Sequence, residues 1–374
     1  MGTIDRKIQE ENAIFEAMAP GGGDDFANYA TPLVRNCWYA AGRSAEIGRV
    51  PLARRLLGID VVLYRTGDGR PVAMRNRCPH RSFPLAKGKL EGDTLVCGYH
   101  GMAFNADGMC VHMPALNSAP ASAAVRTFPV ADRGPITWIW MGSPDLADEG
   151  LIPELPWLED TDWGTVTGDF HIKADYVGMH ENLIDQTHFP FLHPDTVGTP
   201  EYARSRLTAE VDGDQVVIRR RLDNAPPPAV YGKPANIMHK RVTRTSEARF
   251  VSPAVHRAYA EIIDPAPEGD EPERYRYYIT HIFTPETNTS IHYWWFNSRD
   301  FKPADPGIDT FLREASAKAY YEDVEALEWI MEVVKRDEEQ QFDMSFAPDR
   351  PGLMARRIMY RKAMTEGRQG SAAR

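Results

Sequence analysis

The sequence predicts an α+β chain of two domains, an all-β domain followed by a domain with an antiparallel sheet and helices. First, short apolar and β-branched runs between Cys37 and Met141 are broken by Gly, Pro and Asp, which is typical of a small antiparallel β-domain. Second, longer alternating runs follow residue 169. Third, a helical pattern extends from about Pro306 to Arg336. A sheet with helices on one side makes the second domain α+β.

The predicted domain boundaries follow changes in local composition. Residues 1–36 are expected to form a helix, to about residue 18, and a linker rich in turn-forming residues. Residues 37–145 form the predicted β-domain, and residues 146–374 form the second domain. The tail from Thr365 is expected to fray.

Turn and alternation signals place the elements within these domains. The sequences TGDG at 66–69 and NADG at 105–108 are expected to connect hairpins, because Asp-Gly supplies the positive φ of a tight turn. A helix is predicted over 177–190, ended by its proline, and no motif is recognised within about 199–257. Alternation predicts strands at 169–176, 215–221, 256–263, 276–283 and 289–297.

Composition limits the possible partners and location. The 374 residues carry a formal net charge of -10 without a Lys/Arg block, which argues against nucleic acid or membrane as the main partner. The first residues lack the apolar region of a signal peptide, and no apolar run approaches the length of a membrane span, so a cytoplasmic protein is expected. Cys37 and Cys110 follow no disulfide pattern and are expected to be buried free thiols.

The stretch Arg77–Asn105 contains a metal motif. Its ligands are Cys78, His80, Cys97 and His100, in the order C-x-H, sixteen residues, C-x-x-H. This set suits a 2Fe-2S cluster in which one iron takes both thiolates and the other takes both imidazoles. Structural zinc is the alternative. The spacing favours the cluster, because finger-type zinc sites usually group Cys with Cys and His with His, whereas each segment here supplies one of each.

A second group of metal-binding residue types lies in the second domain. Asn182, Asp185 and His188 are spaced by three residues, which places them along one stripe of a helix. His193 follows Pro190. Five residues of regular helix would rotate the second imidazole by about 140° from the first, so the two converge only if the backbone bends between them.

Asp323 is the predicted carboxylate partner of these histidines. It lies in the middle of the apolar stripe of the long helix, and a carboxylate withdrawn from water needs a cation or several donors. Two His and one carboxylate form the facial triad of non-haem iron(II) oxygenases. The apolar residues within about 40° of Asp323 on a helical wheel are Leu312, Ala319, Leu327, Ile330 and Val334. The acidic residues expected to point away are Glu322, Glu325, Glu328 and Glu332.

Each of these residues also has a structural interpretation. Asp323 could be a buried ion-pair partner, Asp185 could be a surface acid, and Asn182 could cap or hydrogen-bond locally. The registry of Asp185 with His188 and the place of Asp323 in the apolar stripe favour the functional interpretation of both aspartates.

The motifs together resemble those of the Rieske non-haem iron oxygenases. The resemblance rests on C-P-H-R and C-x-Y-H-G, then N-x-x-D-x-x-H-x-x-x-x-H, then an Asp within Y-E-D-V. It implies an N-terminal Rieske domain and a helix-grip catalytic domain. It also implies that Asp185 links His188 to His100 of the partner subunit, and that Asn182 lies near the iron. The implied ligands are Cys78 and Cys97 for the inner iron, His80 and His100 for the outer iron, and His188, His193 and Asp323 for a mononuclear Fe(2+).

The resemblance also implies an activity and partners. The stretch 281–301 and YYEDVEALE around Asp323 resemble the dicamba and vanillate demethylase branch, whose members use O2 to dealkylate an aromatic substrate at N or O. Electrons would come from a ferredoxin or an NAD(P)H-dependent reductase, because the chain lacks G-x-G-x-x-G and C-x4-C-x2-C. A homotrimer with electron transfer between subunits is implied.

Alternatives stay open at this point. His281 matches a substrate-contacting position, but it could equally be an inward strand residue, and 293–296 is mostly expected to be core. Ring hydroxylation or cis-dihydroxylation is the alternative reaction. An electron-transfer protein without oxygenase activity and a zinc hydrolase are the alternatives of other classes.

Overall fold

The computed structural model describes residues 25–116, 122–269, 271–337 and 344–372. The helix predicted for residues 1–18 lies outside these ranges. Residues 25–36 contain no helix or strand, as expected for the linker.

Short antiparallel strands form the first domain, as predicted. Within its described residues they make three sheets, with strand orders β1-β11-β10, β2-β3-β4-β9 and β5-β6-β7-β8. The strands are β1 Trp38–Arg43, β2 Leu52–Leu56, β3 Ile59–Arg65, β4 Pro71–Arg75, β5 Lys89–Glu91, β6 Thr94–Val96, β7 Ala103–Phe104, β8 Cys110–His112, β9 Thr127–Phe128, β10 Val130–Arg133 and β11 Ile136–Trp140.

Two glycines close the predicted hairpins. Gly69, between β3 and β4, has a φ of 89°, and Gly108, between β7 and β8, has a φ of 80°. A Cβ on Gly108 would lie 2.1 Å from the Val125 carbonyl oxygen. No other residue fits that turn without moving the backbone.

The first domain has two separate cores. The lobe that carries the two cysteine segments has its own buried cluster around Tyr64, Leu95 and Phe104. The sheet containing β1 and β11 instead shares one continuous core with the second domain. Hydrogen bonds reinforce that junction, since Thr284 Oγ1 donates to the Ala40 carbonyl at 2.8 Å.

The second domain is built on a seven-stranded antiparallel sheet of order β12-β18-β17-β16-β15-β14-β13. Its strands are β12 Gly164–Ile172, β13 Leu207–Asp212, β14 Gln215–Ala225, β15 Val242–Ser252, β16 Val255–Ile263, β17 Arg274–Thr287 and β18 Ser290–Arg299. The helices are α1 Tyr176–Ile184, α2 Phe189–Leu192, α3 Pro200–Arg204, α4 Ala229–Gly232, α5 Pro306–Arg336 and α6 Arg350–Ala372. Short 3-10 helices lie at Ser44–Glu46, Leu85–Lys87, Pro144–Leu146, Glu149–Leu151, Pro156–Leu158 and Ala347–Asp349.

Most predicted strands and the long helix are confirmed, with three corrections. The strand predicted over 169–176 ends at Ile172, because Asp175 Oδ1 accepts from the first free N–H groups of α1 and starts the helix there. The strands β13 and β15, which were not predicted, lie in the 199–257 segment where no motif is recognised. The tail from Thr365 does not fray where the structure describes it, since α6 continues to Ala372.

The long helix α5 packs against the sheet through polar and apolar contacts. Asp305 caps its start, and Pro306 occupies the first turn, where a missing N–H costs nothing. Asn297 on β18 donates to Ser316 and accepts from Tyr320 Oη at 2.8 Å. These contacts identify the face of the sheet that meets α5.

The buried stripe of α5 differs from the predicted one near its end. Ile330 was expected to be buried, but 57% of it is exposed. The contact line runs from Asp323 through Leu327 to Met331, and each four-residue step rotates it by about 40°. Met331 therefore takes the buried position, and the adjacent Ile330 of the predicted stripe faces solvent.

The two cysteines outside the cluster motif differ in burial. Cys110 is a buried free thiol, as predicted, whereas Cys37 is free but only half-buried, immediately before β1. None of the described helices has the length and apolar character that a membrane span requires.

Candidate metal centres

Two segments with the same backbone geometry carry the four predicted cluster ligands. These are 78–83 and 97–102. In each, the cysteine N–H donates to the carbonyl oxygen five residues later, at 2.9 and 2.8 Å, and the cysteine carbonyl accepts from the N–H four residues later, at 2.9 and 3.1 Å. That fourth residue has a positive φ in both, 59° at Ser82 and 71° at Gly101.

The donors of these segments form two layers. Cys78 and Cys97 are both 2% exposed, whereas His80 and His100 are exposed, with their ring centroids 4.6 Å apart. Among the described residues, no three of these four bring donor atoms within 4.8 Å of one another. A single tetrahedral zinc ion needs all four donors at one point, but a two-iron cluster takes a thiolate pair and an imidazole pair separately. The donor set therefore fits the 2Fe-2S cluster.

The second candidate centre lies where the predicted helix is interrupted. α1 ends at Ile184, and Asp185 is extended, with a φ of −79° and a ψ of 118°. Pro190 lies in the first turn of α2, so it begins a helix instead of ending one. The prediction that Asp185 and His188 share a helical stripe with Asn182 is therefore wrong.

The required bend between the two histidines is confirmed. The imidazole centroids of His188 and His193 lie 5.2 Å apart. Together with Asp323 they form a group whose donor atoms all lie within 4.8 Å of one another. Asp323 Oδ1 is 3.0 Å from His193 Nε2 and 3.5 Å from His188 Nε2. Asn182 Nδ2 donates to the same oxygen at 3.0 Å, so it supports the carboxylate directly.

A carboxylate stands behind each imidazole. His193 Nδ1 is 2.7 Å from Glu322 Oε2, and His188 Nδ1 is 3.7 Å from Asp185 Oδ2. A hydrogen-bonded carboxylate such as Glu322 fixes the ring orientation and makes Nε2 a better metal ligand, whereas Asp185 lies beyond hydrogen-bond distance of His188. The expectation that Glu322 points to solvent is wrong, because only 23% of its side chain is exposed. On a helical wheel Glu322 lies beside Asp323, and this side of α5 faces His193, the residue that follows α2.

The electrostatics of the group suit a cation. Burial raises the pKa of Asp323, but the two imidazoles outweigh it and hold the pKa far below its usual range. Burial lowers the pKa of His188, but the neighbouring carboxylates of Asp185 and Asp323 raise it to about 9. His188 Nε2 is buried without a hydrogen-bond partner. Two imidazoles and one carboxylate with an unpaired buried nitrogen fit a divalent iron.

His281 belongs to the wall beside this group. It projects from β17 and is 4% exposed, and its Nδ1 lies 2.6 Å from Tyr293 Oη. Its ring centroid lies 5.3 Å from that of Tyr320 on α5. It is thus an inward strand residue that also faces the region of Asp323. The aromatic residues at 293–296 are all buried, as expected for core.

The first domain carries a cysteine-histidine cluster site, and the second carries a two-histidine, one-carboxylate site. Together these two sites define the class of two-domain non-haem iron oxygenases. Residues 37–129 match the Rieske [2Fe-2S] domain, and residues 172–364 match the vanillate O-demethylase oxygenase C-terminal domain. The chain belongs to the Rieske non-haem iron oxygenases of the vanillate O-demethylase type. It is therefore an oxidoreductase whose cofactors are a 2Fe-2S cluster and a mononuclear non-haem iron.

Similar proteins support this membership over most of the chain. A putative toluene-4-sulfonate monooxygenase system iron-sulfur subunit from Comamonas testosteroni is 36% identical, over 85% of this chain and 91% of that protein. The oxygenase component of dicamba O-demethylase from Stenotrophomonas maltophilia is 36% identical, over 79% of this chain and 88% of that protein. The crystal structure of dicamba monooxygenase bound to dicamba has a TM-score of 0.80 at 31% identity, covering 92% of this chain and 100% of that one.

The family membership decides between the classes left open by the sequence. The chain is the oxygenase component of a multicomponent system, so it works with a separate reductase or ferredoxin. An electron carrier without oxygenase activity and a zinc hydrolase are no longer needed as explanations.

Proposed function

We propose that this oxygenase component uses O2 to remove an N- or O-alkyl group from an aromatic compound. The convergence of His188, His193 and Asp323 under the sheet carries the proposal. The direction toward dealkylation is supported by similar proteins. Besides the dicamba enzyme, they include a vanillate O-demethylase oxygenase subunit from Pseudomonas, 31% identical, and a chloroacetanilide N-alkylformylase oxygenase component from Rhizorhabdus wittichii, 30% identical.

The proposed domains keep the boundaries expected from the sequence. Residues 37–145 would hold the cluster and residues 146–374 the mononuclear iron. The matched family regions, 37–129 and 172–364, fall inside these domains. The proposed ligands are Cys78, His80, Cys97 and His100 for the cluster, and His188, His193 and Asp323 for the iron.

The residues around the iron group have distinct proposed tasks. When bound, the cluster supplies single electrons and the mononuclear iron activates O2. Glu322 holds the His193 imidazole with Nε2 inward, the Asp185 carboxylate lies near His188 Nδ1, and Asn182 donates to the Asp323 oxygen. These partners pre-organise the ligand geometry, so the side chains need not rearrange when the substrate arrives.

After oxygen insertion, the hydroxylated substrate breaks down without a further catalytic residue. Hydroxylation of the carbon next to the heteroatom gives a hemiacetal or hemiaminal of the substrate, which collapses to the dealkylated product and an aldehyde. His281, with its Nδ1 beside Tyr293 Oη, can present its Nε2 to a polar group of the aromatic ring from the sheet side.

We further propose a head-to-tail homotrimer in which Asp185 connects His188 to His100 of the partner subunit. Large exposed apolar side chains at both ends of this route support the contact. Tyr99, next to the exposed His100, is 60% exposed, and Phe191, between the two histidine ligands, is 83% exposed. The proposed contact would cover both side chains. The cytoplasmic location stays a prediction.

Product analysis tests the reaction type. The protein, reconstituted with a generic ferredoxin and reductase, would be incubated with a panel of N-alkyl and O-alkyl aromatics. We expect an aldehyde and the dealkylated ring in equal amounts. A similar protein named 3-chlorobenzoate-3,4-dioxygenase oxygenase subunit, 34% identical over 43% of this chain, makes diol formation the competing outcome. Diols without aldehyde would contradict the proposal.

A further inference from the structure

Tyr202 is fully buried on α3 and contacts the segment around His188 at two points. Its Oη donates to Gln186 Oε1, and its ring stacks on Phe189 with the centroids 5.5 Å apart and an interplanar angle of 12°. In the chain, Gln186 lies between Asp185 and His188, and Phe189 follows His188 directly. One side chain of α3 therefore contacts this segment both before and after the histidine.

Three polar residues on the inward face of the sheet hold Tyr202 in place. Arg220 on β14 and Ser246 on β15 are cross-strand partners, and Arg244 lies two residues before Ser246 on the same face. The guanidinium carbons of Arg244 and Arg220 lie 4.2 and 5.2 Å from the centroid of the Tyr202 ring, within the range of a cation–π contact. The backbone is held as well, because Arg220 Nη1 donates to the Ser205 carbonyl at 3.0 Å. The sheet thus sets the position of Tyr202.

The hydroxyl group of Tyr202 belongs to a directed chain of hydrogen bonds. Its single proton goes to Gln186 Oε1, so in the 3.0 Å contact between Tyr202 Oη and Ser246 Oγ the serine must donate. The chain therefore runs from β15 through α3 to Gln186. Gln186 is 5% exposed and Ser246 is 8% exposed. Buried polar groups need partners within the protein, and Tyr202 Oη is the partner of both.

The segment 185–188 depends on side chains for its conformation. It belongs to neither a helix nor a strand, because α1 ends at Ile184 and α2 begins at Phe189. Within it, the Thr187 N–H donates to Asp185 Oδ1 at 2.8 Å. A buried anchor at Gln186 restricts the positions that the neighbouring residues of such a segment can take.

We propose that Tyr202 is a positioning residue for the mononuclear iron site, which holds the segment 185–188 through Gln186 so that His188 is in place before iron binds. The inference rests on the proposed function, because it takes His188 as an iron ligand. Without this hydrogen bond the segment would populate other arrangements. The apparent iron affinity would then fall with the fraction of molecules that remains competent to bind.

Two single variants remove the hydrogen bond from either side. Tyr202→Phe deletes the hydroxyl group and keeps the ring contacts, and Gln186→Met replaces the amide with a thioether of similar length. Dialysis of the full-length holoenzyme against a graded iron chelator would measure the affinity of the mononuclear site, with the absorption of the cluster as the internal reference. We expect each variant to bind iron about 2- to 10-fold more weakly, the range that the net effect of one hydrogen bond allows.

The double variant tests whether the two residues act as one unit. Because both single changes remove the same hydrogen bond, Tyr202→Phe with Gln186→Met should lose no more affinity than the larger single loss. Single losses that multiply in the double variant would mean that the two residues act independently and would overturn the inference. Wild-type affinity in both single variants would overturn it as well.

Tyr277→Phe is the matched control. Tyr277 on β17 is also buried, its Oη donates to the Tyr231 carbonyl at 3.0 Å, and its ring contacts are with Tyr231 and Phe301. Its iron affinity should equal that of the wild type. An equal loss of affinity in Tyr277→Phe and Tyr202→Phe would mean that affinity follows general stability. A lower melting temperature of Tyr202→Phe with wild-type iron affinity would mean that the hydroxyl only supports the fold. Either result overturns the inference.

Hydrogen exchange tests whether the segment is held before iron binds. In full-length protein that has its cluster but no mononuclear iron, the backbone amides of residues 185–192 should exchange faster in Tyr202→Phe than in the wild type, and those of α6 should not change. Equal exchange of residues 185–192 in the two proteins would contradict the positioning role.

The remaining outcomes separate the inference from the proposed function. Aldehyde release from the panel of N-alkyl and O-alkyl aromatics is measured on the same wild-type preparation. Aldehyde from the wild type with unchanged iron affinity in Tyr202→Phe would leave dealkylation intact and refute the positioning role. Weaker iron binding by Tyr202→Phe and Gln186→Met, with no aldehyde from the wild type, would support the positioning role and contradict dealkylation.

Discussion

Glu322→Gln should weaken iron binding without disturbing the cluster. The carboxylate lies 2.7 Å from His193 Nδ1 and is largely buried beside it. It fixes which nitrogen of the ring carries the proton, so that Nε2 is free to bind the metal. The amide has nearly the same shape but carries no charge and can present an N–H where an acceptor is required.

The size of the effect follows from the position of Glu322 behind a ligand. Loss of such a partner typically reduces metal affinity or activity about 10- to 100-fold, which corresponds to roughly 1.4 to 2.7 kcal/mol. Dialysis against a graded iron chelator would measure the affinity of the mononuclear site. The visible absorption of the cluster serves as an internal reference and should be unchanged.

A variant on the same helix provides the control. Glu332→Gln also removes one acidic charge from α5, but its side chain is 60% exposed and far along the helix from Asp323. Its iron affinity should equal that of the wild type. If Glu322→Gln retains iron as well as Glu332→Gln does, the carboxylate does not hold His193 and the reasoning is refuted.

Three further variants test other parts of the account. Asp185→Asn should keep both metals, measured by iron content and cluster absorption, because its carboxylate lies 3.7 Å from His188 Nδ1, beyond hydrogen-bond distance. It should lose most turnover, and normal product formation would contradict the proposed bridge. Gly108→Ala should destabilise the cluster lobe by about 1 to 3 kcal/mol in urea denaturation, because its φ of 80° and the Val125 carbonyl oppose a side chain. Burial raises the pKa of Asp132, but hydrogen bonds from Arg65 and Thr137 outweigh it and lower the pKa. Its stabilising effect should be present above the ordinary carboxyl pKa and lost as pH falls through the lowered one, so Asp132→Asn should flatten the acid side of a melting-temperature profile.

Local signals in the sequence were sufficient for part of the molecule. The bounds predicted for α5 are confirmed, because Asp305 and Pro306 are a strong start signal and a long amphipathic pattern is easy to recognise. The cluster segments were found from ligand type and spacing alone. Both signals depend on residues near one another in the chain.

The parts that were missed depend on contacts the sequence does not display. α1 ends early because the Asp185 side chain accepts from the Thr187 N–H at 2.8 Å, a local bond that competes with the helix. Glu322 was assigned to solvent because a helical wheel ignores what packs against its sides.

We propose that the His188, His193 and Asp323 group holds the iron that dealkylates an aromatic substrate. The most direct measurement is aldehyde formed per O2 consumed by the wild type and by Asp323→Ala, with cluster absorption recorded for both. We expect a ratio near one for the wild type, and no aldehyde and no mononuclear iron for a variant whose cluster is intact. Aldehyde formation by Asp323→Ala at the wild-type rate would contradict the account.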